Sequence, residues 1–338
     1  MNQKLTVIIT LLVAIYIGSP IVFKHSPWIQ RTLLFMNNLD LYQPDLTRPE
    51  ASGLKCARAI RLRDESSAIE LGVWHILPQS SLAACTTNHQ NNRTTLIDDL
   101  LAFSDTRPIV LYVRGNKGTR AGEHRVRLYH RLAYENDYHV VAFDYRGYAD
   151  STYESPSALG LSSDARFMYD WLLQQPGVTR DRLVVWGHSL GSAVAVRMLA
   201  ELPDELAPRR LVLEAPFDSL ASAVANHPFS LPFRVIPYFE HFFVEPIQTS
   251  TELNFDSARS IVDIKSTPIM ILHAEDDAII PHKLGRNLYE VAVEKLGKAR
   301  VKFISVSSSH NLGHKYICLH DETMLKVKQF IGGEQASH

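Results

Sequence analysis

From residue 51 onward the chain alternates short apolar runs with longer amphipathic stretches. Ala57–Leu62 and Glu70–Leu77 read as extended segments joined by the polar turn Arg63-Asp64-Glu65-Ser66-Ser67, hence an antiparallel hairpin. Pro108–Val113, His139–Phe143, Leu183–Trp186, Leu211–Leu213, Ile269–Leu272 and Val301–Val306 are apolar runs with β-branched residues, the pattern of strands covered on both faces. Glu123–Tyr134, Ser162–Gln174, Ser192–Ala200, Lys283–Lys295 and Glu322–Ile331 fill the gaps as helices. Strand and helix in turn, after an antiparallel start, predict one doubly wound, mostly parallel α/β sheet over residues 51–338.

Two stretches break this rhythm. Leu5–Phe23 is a run of 19 residues without Asp, Glu, Lys or Arg. As a helix it reaches about 28 Å, close to the ~30 Å hydrocarbon thickness of a bilayer. Tyr16 and Ile17 make Gly18-Ser19 a poor cleavage site, and a buried core helix would carry a broader polar stripe than Thr6, Thr10, Tyr16 and Ser19 provide. Residues 1–24 therefore read as a single-pass signal anchor spanning 5–23. Residues 25–50 form a juxtamembrane segment whose anchors Trp28, Leu33, Leu34 and Phe35 either lie along the bilayer surface or pack on the main domain. The second exception is 217–262, which separates two strands and carries Phe229, Phe233, Tyr238, Phe239, Phe242 and Phe243 among four prolines. Insertions of this length are usually lids or binding loops, so we expect a cap over an apolar acyl chain. The plainer alternative is an aromatic mini-core that only holds the insertion together.

Composition narrows the function. With 46% hydrophobic and 21% charged residues the chain is neither disordered nor a multi-span membrane protein. Thirty-five basic against 36 acidic side chains, a net charge of −1, leave no basic surface for a nucleic-acid partner. Cys56, Cys85 and Cys318 are too few and scattered for a disulfide scaffold or a zinc site, although Cys56 and Cys85 could pair in an oxidising compartment. Asn92-Arg93-Thr94 is a glycosylation sequon, which favours a lumenal or extracellular body. Lys4 on one side of the span and Lys24 and Arg31 on the other leave its orientation open.

Gly187-His188-Ser189-Leu190-Gly191 closes a buried strand and opens a helix, as a nucleophile elbow requires. Ser189 should project from the carboxyl edge of the sheet in a strained turn, while His188 points into the fold. A serine hydroxyl needs a base, and in this fold an acid and then a histidine follow the serine along the chain. Asp277, just before the turn Ala278-Ile279-Ile280-Pro281, is the expected acid, with Asp276 left to satisfy loop amides. The base is His310 or His314, which spacing alone does not separate. Backbone N–H groups of Leu190 and Asn116 are the expected oxyanion donors, Asn116 lying in the glycine-rich loop after the Pro108–Val113 strand. No metal or cofactor is required. Arg114, Lys117, Arg120, Arg125 and Arg127 in and after that loop either attract an anionic head group or form a solvated helix face.

Leu71-Gly72-Val73-Trp74-His75, Gly115-Asn116, Phe143-Asp144-Tyr145-Arg146-Gly147, Trp186-Gly187-His188-Ser189-Leu190-Gly191, His227-Pro228-Phe229-Ser230, His273-Ala274-Glu275-Asp276-Asp277 and His314-Lys315-Tyr316 run in order along the chain. Together they resemble the α/β-hydrolase domain-containing protein twelve family, membrane-bound lysophosphatidylserine and monoacylglycerol lipases, over about residues 70–332. The resemblance implies Ser189 as nucleophile, Asp277 as acid and His314 as base, with a lumenal catalytic body in the endoplasmic-reticulum membrane. Arg114 stands where the family has histidine, Ala278 where it has proline, and the loop from His310 to His314 is shorter. The expected activity is cleavage of the acyl ester of a single-chain lipid drawn from the bilayer. A thioesterase of the same fold and a non-catalytic membrane-tethered binding protein are the alternatives.

Overall fold

A computed structural model describes residues 3–37, 44–83, 85 and 103–333. The sequon at Asn92 lies outside the described residues. Eight strands form one sheet in the order β1-β2-β4-β3-β5-β6-β7-β8. They are β1 (Ala57–Asp64), β2 (Ile69–Ile76), β3 (Ile109–Val113), β4 (His139–Phe143), β5 (Leu183–His188), β6 (Arg210–Glu214), β7 (Ile269–Ala274) and β8 (Val301–Val306). β2 pairs antiparallel with both β1 and β4, and every later pairing is parallel. The expected antiparallel start and parallel body are therefore both present.

The helices are α1 (Gln3–His25), α2 (Pro27–Phe35), α3 (Glu123–His130), α4 (Ala158–Leu173), α5 (Leu190–Ala200), α6 (Leu220–Asn226), α7 (Glu245–Thr249), α8 (Ser257–Ile261), α9 (His282–Leu296) and α10 (Asp321–Gly332). Alternate strand residues sort onto two faces. Leu111, Val113, Val185 and Ile271 join the core beneath α4, α5 and α9, whereas Val110, Tyr112, Trp186 and Leu272 meet α3 and α10. Fully burying each such side chain is worth roughly 1.5–3 kcal/mol, which is why the inner strands β3, β4, β5 and β7 are buried at every position while the edge strands β1 and β8 keep exposed polar ones.

Helix α1 is long and apolar enough to cross a membrane. Ser26 stops it and restarts the chain as α2, its hydroxyl accepting from Ile29 N–H with Pro27 in the first turn. Phe35 at the end of α2 is fully buried, its carbonyl accepting from Tyr148, while Trp28 and Leu33 remain exposed. Helix α2 thus packs on the main domain with one face and leaves apolar side chains on the other. Cys56 and Cys85 form a disulfide, and Cys318 is free and buried.

Candidate active site

Ser189 sits between the end of β5 and the start of α5 with φ 53° and ψ −121°, a conformation that costs a non-glycine residue free energy and persists only where its surroundings enforce it. The enforcement is visible. Ser189 N–H donates to the Glu214 carbonyl at 2.9 Å, and Ser192 N–H donates back to the Ser189 carbonyl at 2.9 Å. A Cβ on Gly191 would stand 2.0 Å from the Val113 carbonyl oxygen, and one on Gly187 2.6 Å from Gly191 O. Only glycine at both positions lets strand, turn and helix close this tightly.

The loop after β3, the candidate oxyanion loop, lies against Ser189. A Cβ on Gly115 would be 3.3 Å from both Ser189 Cβ and His188 Nδ1. Leu190 opens α5, so its N–H belongs to the helix-start donors that have no intrahelical partner. The Asn116 side chain is engaged elsewhere, its Nδ2 donating to the Leu34 carbonyl of α2 at 2.8 Å. That bond ties the loop after β3 to α2.

Asp277 and His314 meet directly, Nδ1 of the ring donating to Oδ2 at 2.7 Å. The other carboxylate oxygen accepts from Ile279 and Ile280 N–H at 2.9 Å each. His273 Nε2 lies 3.3 Å from Oδ2 and donates to the Ile280 carbonyl at 2.9 Å. Burial opposes ionisation of Asp277, but the hydrogen bonds from His273 and His314 outweigh it and hold the carboxyl well below the usual range. Asp276 takes the supporting role expected of it, accepting from Gly313 N–H at 2.9 Å. His310 stacks on His320 with ring centres 4.2 Å apart. Of the two candidate histidines, then, His314 is the one bonded to Asp277. The Ser189 hydroxyl makes no hydrogen bond among the described residues, and such contacts often tighten only around substrate.

The basic cluster differs from both expectations. Arg114, Arg120 and Arg125 are buried, so they neither form a solvated helix face nor reach a head group. Arg114 Nε lies 3.0 Å from Asp144, and its guanidinium covers Tyr148 at 4.5 Å. Arg120 pairs with Asp144 at 2.8 Å and Asp150 at 2.6 Å, and Arg125 donates to the Thr119 and Lys117 carbonyls. These arginines hold the oxyanion loop from beneath. Of the five, Lys117 and Arg127 remain exposed, Arg127 paired with Glu123.

Sequence reasoning gave too little weight to the surrounding histidines. His188 Nε2 donates to the His314 carbonyl at 2.9 Å, and burial with the nearby His314 pushes its ring down to about 3. His124, whose ring centre is 5.6 Å from that of His188, is held neutral by burial and by Arg125. His227, at the foot of the 217–262 insertion, is lowered by burial and then by the nearby His314. The position of His124 directly after the oxyanion loop was the signal available for it.

The family model described as the alpha/beta hydrolase fold matches residues 108–241. Among solved structures, an alpha-beta hydrolase from Vibrio vulnificus superposes with a TM-score of 0.62 at 17% identity, covering 91% of this chain and 94% of that one. An esterase from Pyrococcus furiosus does so with a TM-score of 0.60 at 19% identity, covering 86% and 97%. In sequence, the lysophosphatidylserine lipase ABHD12 of Danio rerio is 39% identical over 93% of this chain and 80% of that protein. The human protein ABHD12B is 32% identical over 85% and 75%. With an elbow serine, a paired acid and histidine, and relatives at these identities along most of its length, the chain belongs to the ABHD12 family of α/β-hydrolases and is a serine ester hydrolase.

Proposed function

We propose that Ser189 attacks the acyl carbonyl of a single-chain lipid while His314, oriented by Asp277, takes its proton. The N–H groups of Leu190 and Asn116 stabilise the tetrahedral oxyanion. His314 then returns the proton to the leaving glycerol oxygen, and water, activated by the same imidazole, releases a fatty acid from the acyl-enzyme. The substrate class is a lysophospholipid such as lysophosphatidylserine, as the names of the relatives suggest, with monoacylglycerol as a neutral counterpart. The observation that carries this reading is the 2.7 Å Asp277–His314 bond beside a serine held at positive φ.

Residues 1–24 act as a single-pass anchor, and 217–262 as the cap. The Cys56–Cys85 disulfide supports a body in an oxidising compartment, and so a lumenal domain on the endoplasmic-reticulum membrane. Arg114, which departs from the family pattern, is buried and paired with Asp144, so its presence beside Gly115 is compatible with catalysis.

The test is fluorophosphonate labelling of the full chain in membranes, alongside release of fatty acid from lysophosphatidylserine. Ser189→Ala abolishes both if the proposal holds. Labelling that survives in the variant refutes Ser189 as nucleophile. A labelled wild-type enzyme that leaves lysophosphatidylserine and monoacylglycerol intact refutes the substrate class.

A further inference from the structure

The cap and α1 touch at two separate levels. Tyr16 stacks on Phe233 with ring centres 5.3 Å apart and donates its hydroxyl to the Pro232 carbonyl. Two turns later Phe23 packs on Phe243 at 5.1 Å, and Lys24 lies beside His241 and 3.9 Å from Glu245. The rise from Tyr16 to Lys24 is about 12 Å. Residues 232–245 of the cap therefore climb alongside the last turns of α1, with an apolar contact at one level and a charged one at the other.

This spacing conflicts with a cap held wholly in water. The charge-free run that would cross a bilayer is Leu5–Phe23, and its residues 5–15, all exposed, make only about 17 Å of helix against the ~30 Å hydrocarbon thickness. The rest of that apolar run begins at Tyr16, and there the cap packs against it through Phe233 and Phe243.

We infer that the tip of the cap, residues 228–239, is inserted into the near leaflet of the bilayer beside α1, with Lys24, His241 and Glu245 at head-group level. The inference rests on reading α1 as a membrane span. The surface of the tip suits a lipid environment. Phe229, Leu231, Val235 and Tyr238 are 73%, 62%, 82% and 78% exposed. Residues 228–239 contain no acidic side chain and a single cation, Arg234. That guanidinium folds back onto the protein, donating to Ser230 Oγ and the His227 carbonyl at 3.1 Å each. Trp28 of α2, 70% exposed, adds an aromatic of the kind that favours the membrane–water interface.

The experiment uses the full chain in phosphatidylcholine nanodiscs with an environment-sensitive fluorophore on single introduced cysteines. Cys56 and Cys85 are bridged and Cys318 is buried, so labelling is confined to the new site. Val235→Cys reports the tip, Val7→Cys the span, and Glu65→Cys on the β1–β2 turn a solvent site. Emission at 235 should be quenched severalfold more by acyl-chain nitroxide lipids than by head-group nitroxides, as at 7 and unlike at 65. A quenched probe at 7 with a solvent-like probe at 235 overturns the inference and leaves the span intact. Solvent-like probes at both positions overturn the span and the inference with it. A blue-shifted but unquenched probe at 235 means that protein, such as a second copy of the chain, covers the tip, and overturns the inference as well.

Discussion

His188 Nε2 lies 2.9 Å from the main-chain oxygen of His314, so the residue next to Ser189 pins the backbone of the histidine proposed as base. A carbonyl only accepts, so this nitrogen carries the proton and Nδ1 faces the oxyanion loop unprotonated. The bond links the end of β5 to the loop after β8 and fixes how far His314 stands from Ser189. His188→Ala should lower kcat by on the order of 10²-fold through misplacement of the base, with little change in KM. His188→Gln, which can keep a donor there, should recover part of the loss. Steady-state kinetics on lysophosphatidylserine check this, and a variant with unchanged kcat would show that His188 only fills space.

The buried arginines give a prediction of the opposite kind. Arg120 joins Asp144 and Asp150 inside the fold, and removing one partner of a buried ion network costs roughly 3–5 kcal/mol because the remaining charges lose their compensation. Arg120→Leu should therefore lower the midpoint of chemical denaturation sharply. The ratio of KM values for anionic and neutral lipids should stay as in the wild type. A changed ratio with intact stability would return Arg120 to the head-group site.

These two cases show what the sequence discloses. The strands were legible because β-branched apolar runs can be satisfied only between two helical layers, and Ser189 because glycines at 187 and 191 are demanded by carbonyls within 2.6 Å. Asp277 was legible from its place after β7. The arginines after Gly115 were not, because their spacing matches a wet helix face and their partners Asp144 and Asp150 come from beyond β4, a long-range contact that no local period encodes. Spacing did not separate His310 from His314, since both lie in one short loop; the family resemblance singled out His314, and His314 is the one that bonds to Asp277. The docking of α1 on the cap was hidden for the same reason: Tyr16 and Phe233 are distant in the chain.

With Arg114, Arg120 and Arg125 buried, a head group must find its cation elsewhere. Lys315 follows the triad histidine and is exposed, with its ammonium lowered by partial burial and then by Arg125 and Lys117. Mutual repulsion of this kind marks a place where an anion is welcome. Lys315→Met should raise KM for lysophosphatidylserine by about tenfold, the value of one charge-assisted contact of ~1.4 kcal/mol, and leave monoacylglycerol hydrolysis near wild type. Equal effects on both lipids would mean that Lys315 supports the loop rather than the head group.

Glu214 ends β6 beneath the elbow, buried, with its carboxylate accepting from Trp186 Nε1 at 2.9 Å. Burial pushes its pKa up from 4.5 to about 7, the Trp186 bond works against this, and the negative Asp277 adds to it. A carboxyl raised on folding contributes stability that is complete below its unfolded value and is lost as pH rises through the folded one. The window is thus from 4.5 to about 7, and the linked loss is on the order of 3 kcal/mol. Glu214→Gln keeps an acceptor for Trp186 without the charge. It should match the wild type at the acid end of the window and exceed it above the neutral end, read as the difference between the two thermal midpoints across pH. A difference that does not vary with pH would show that Glu214 is ionised throughout, and that Asp277 faces a second negative charge beneath the nucleophile.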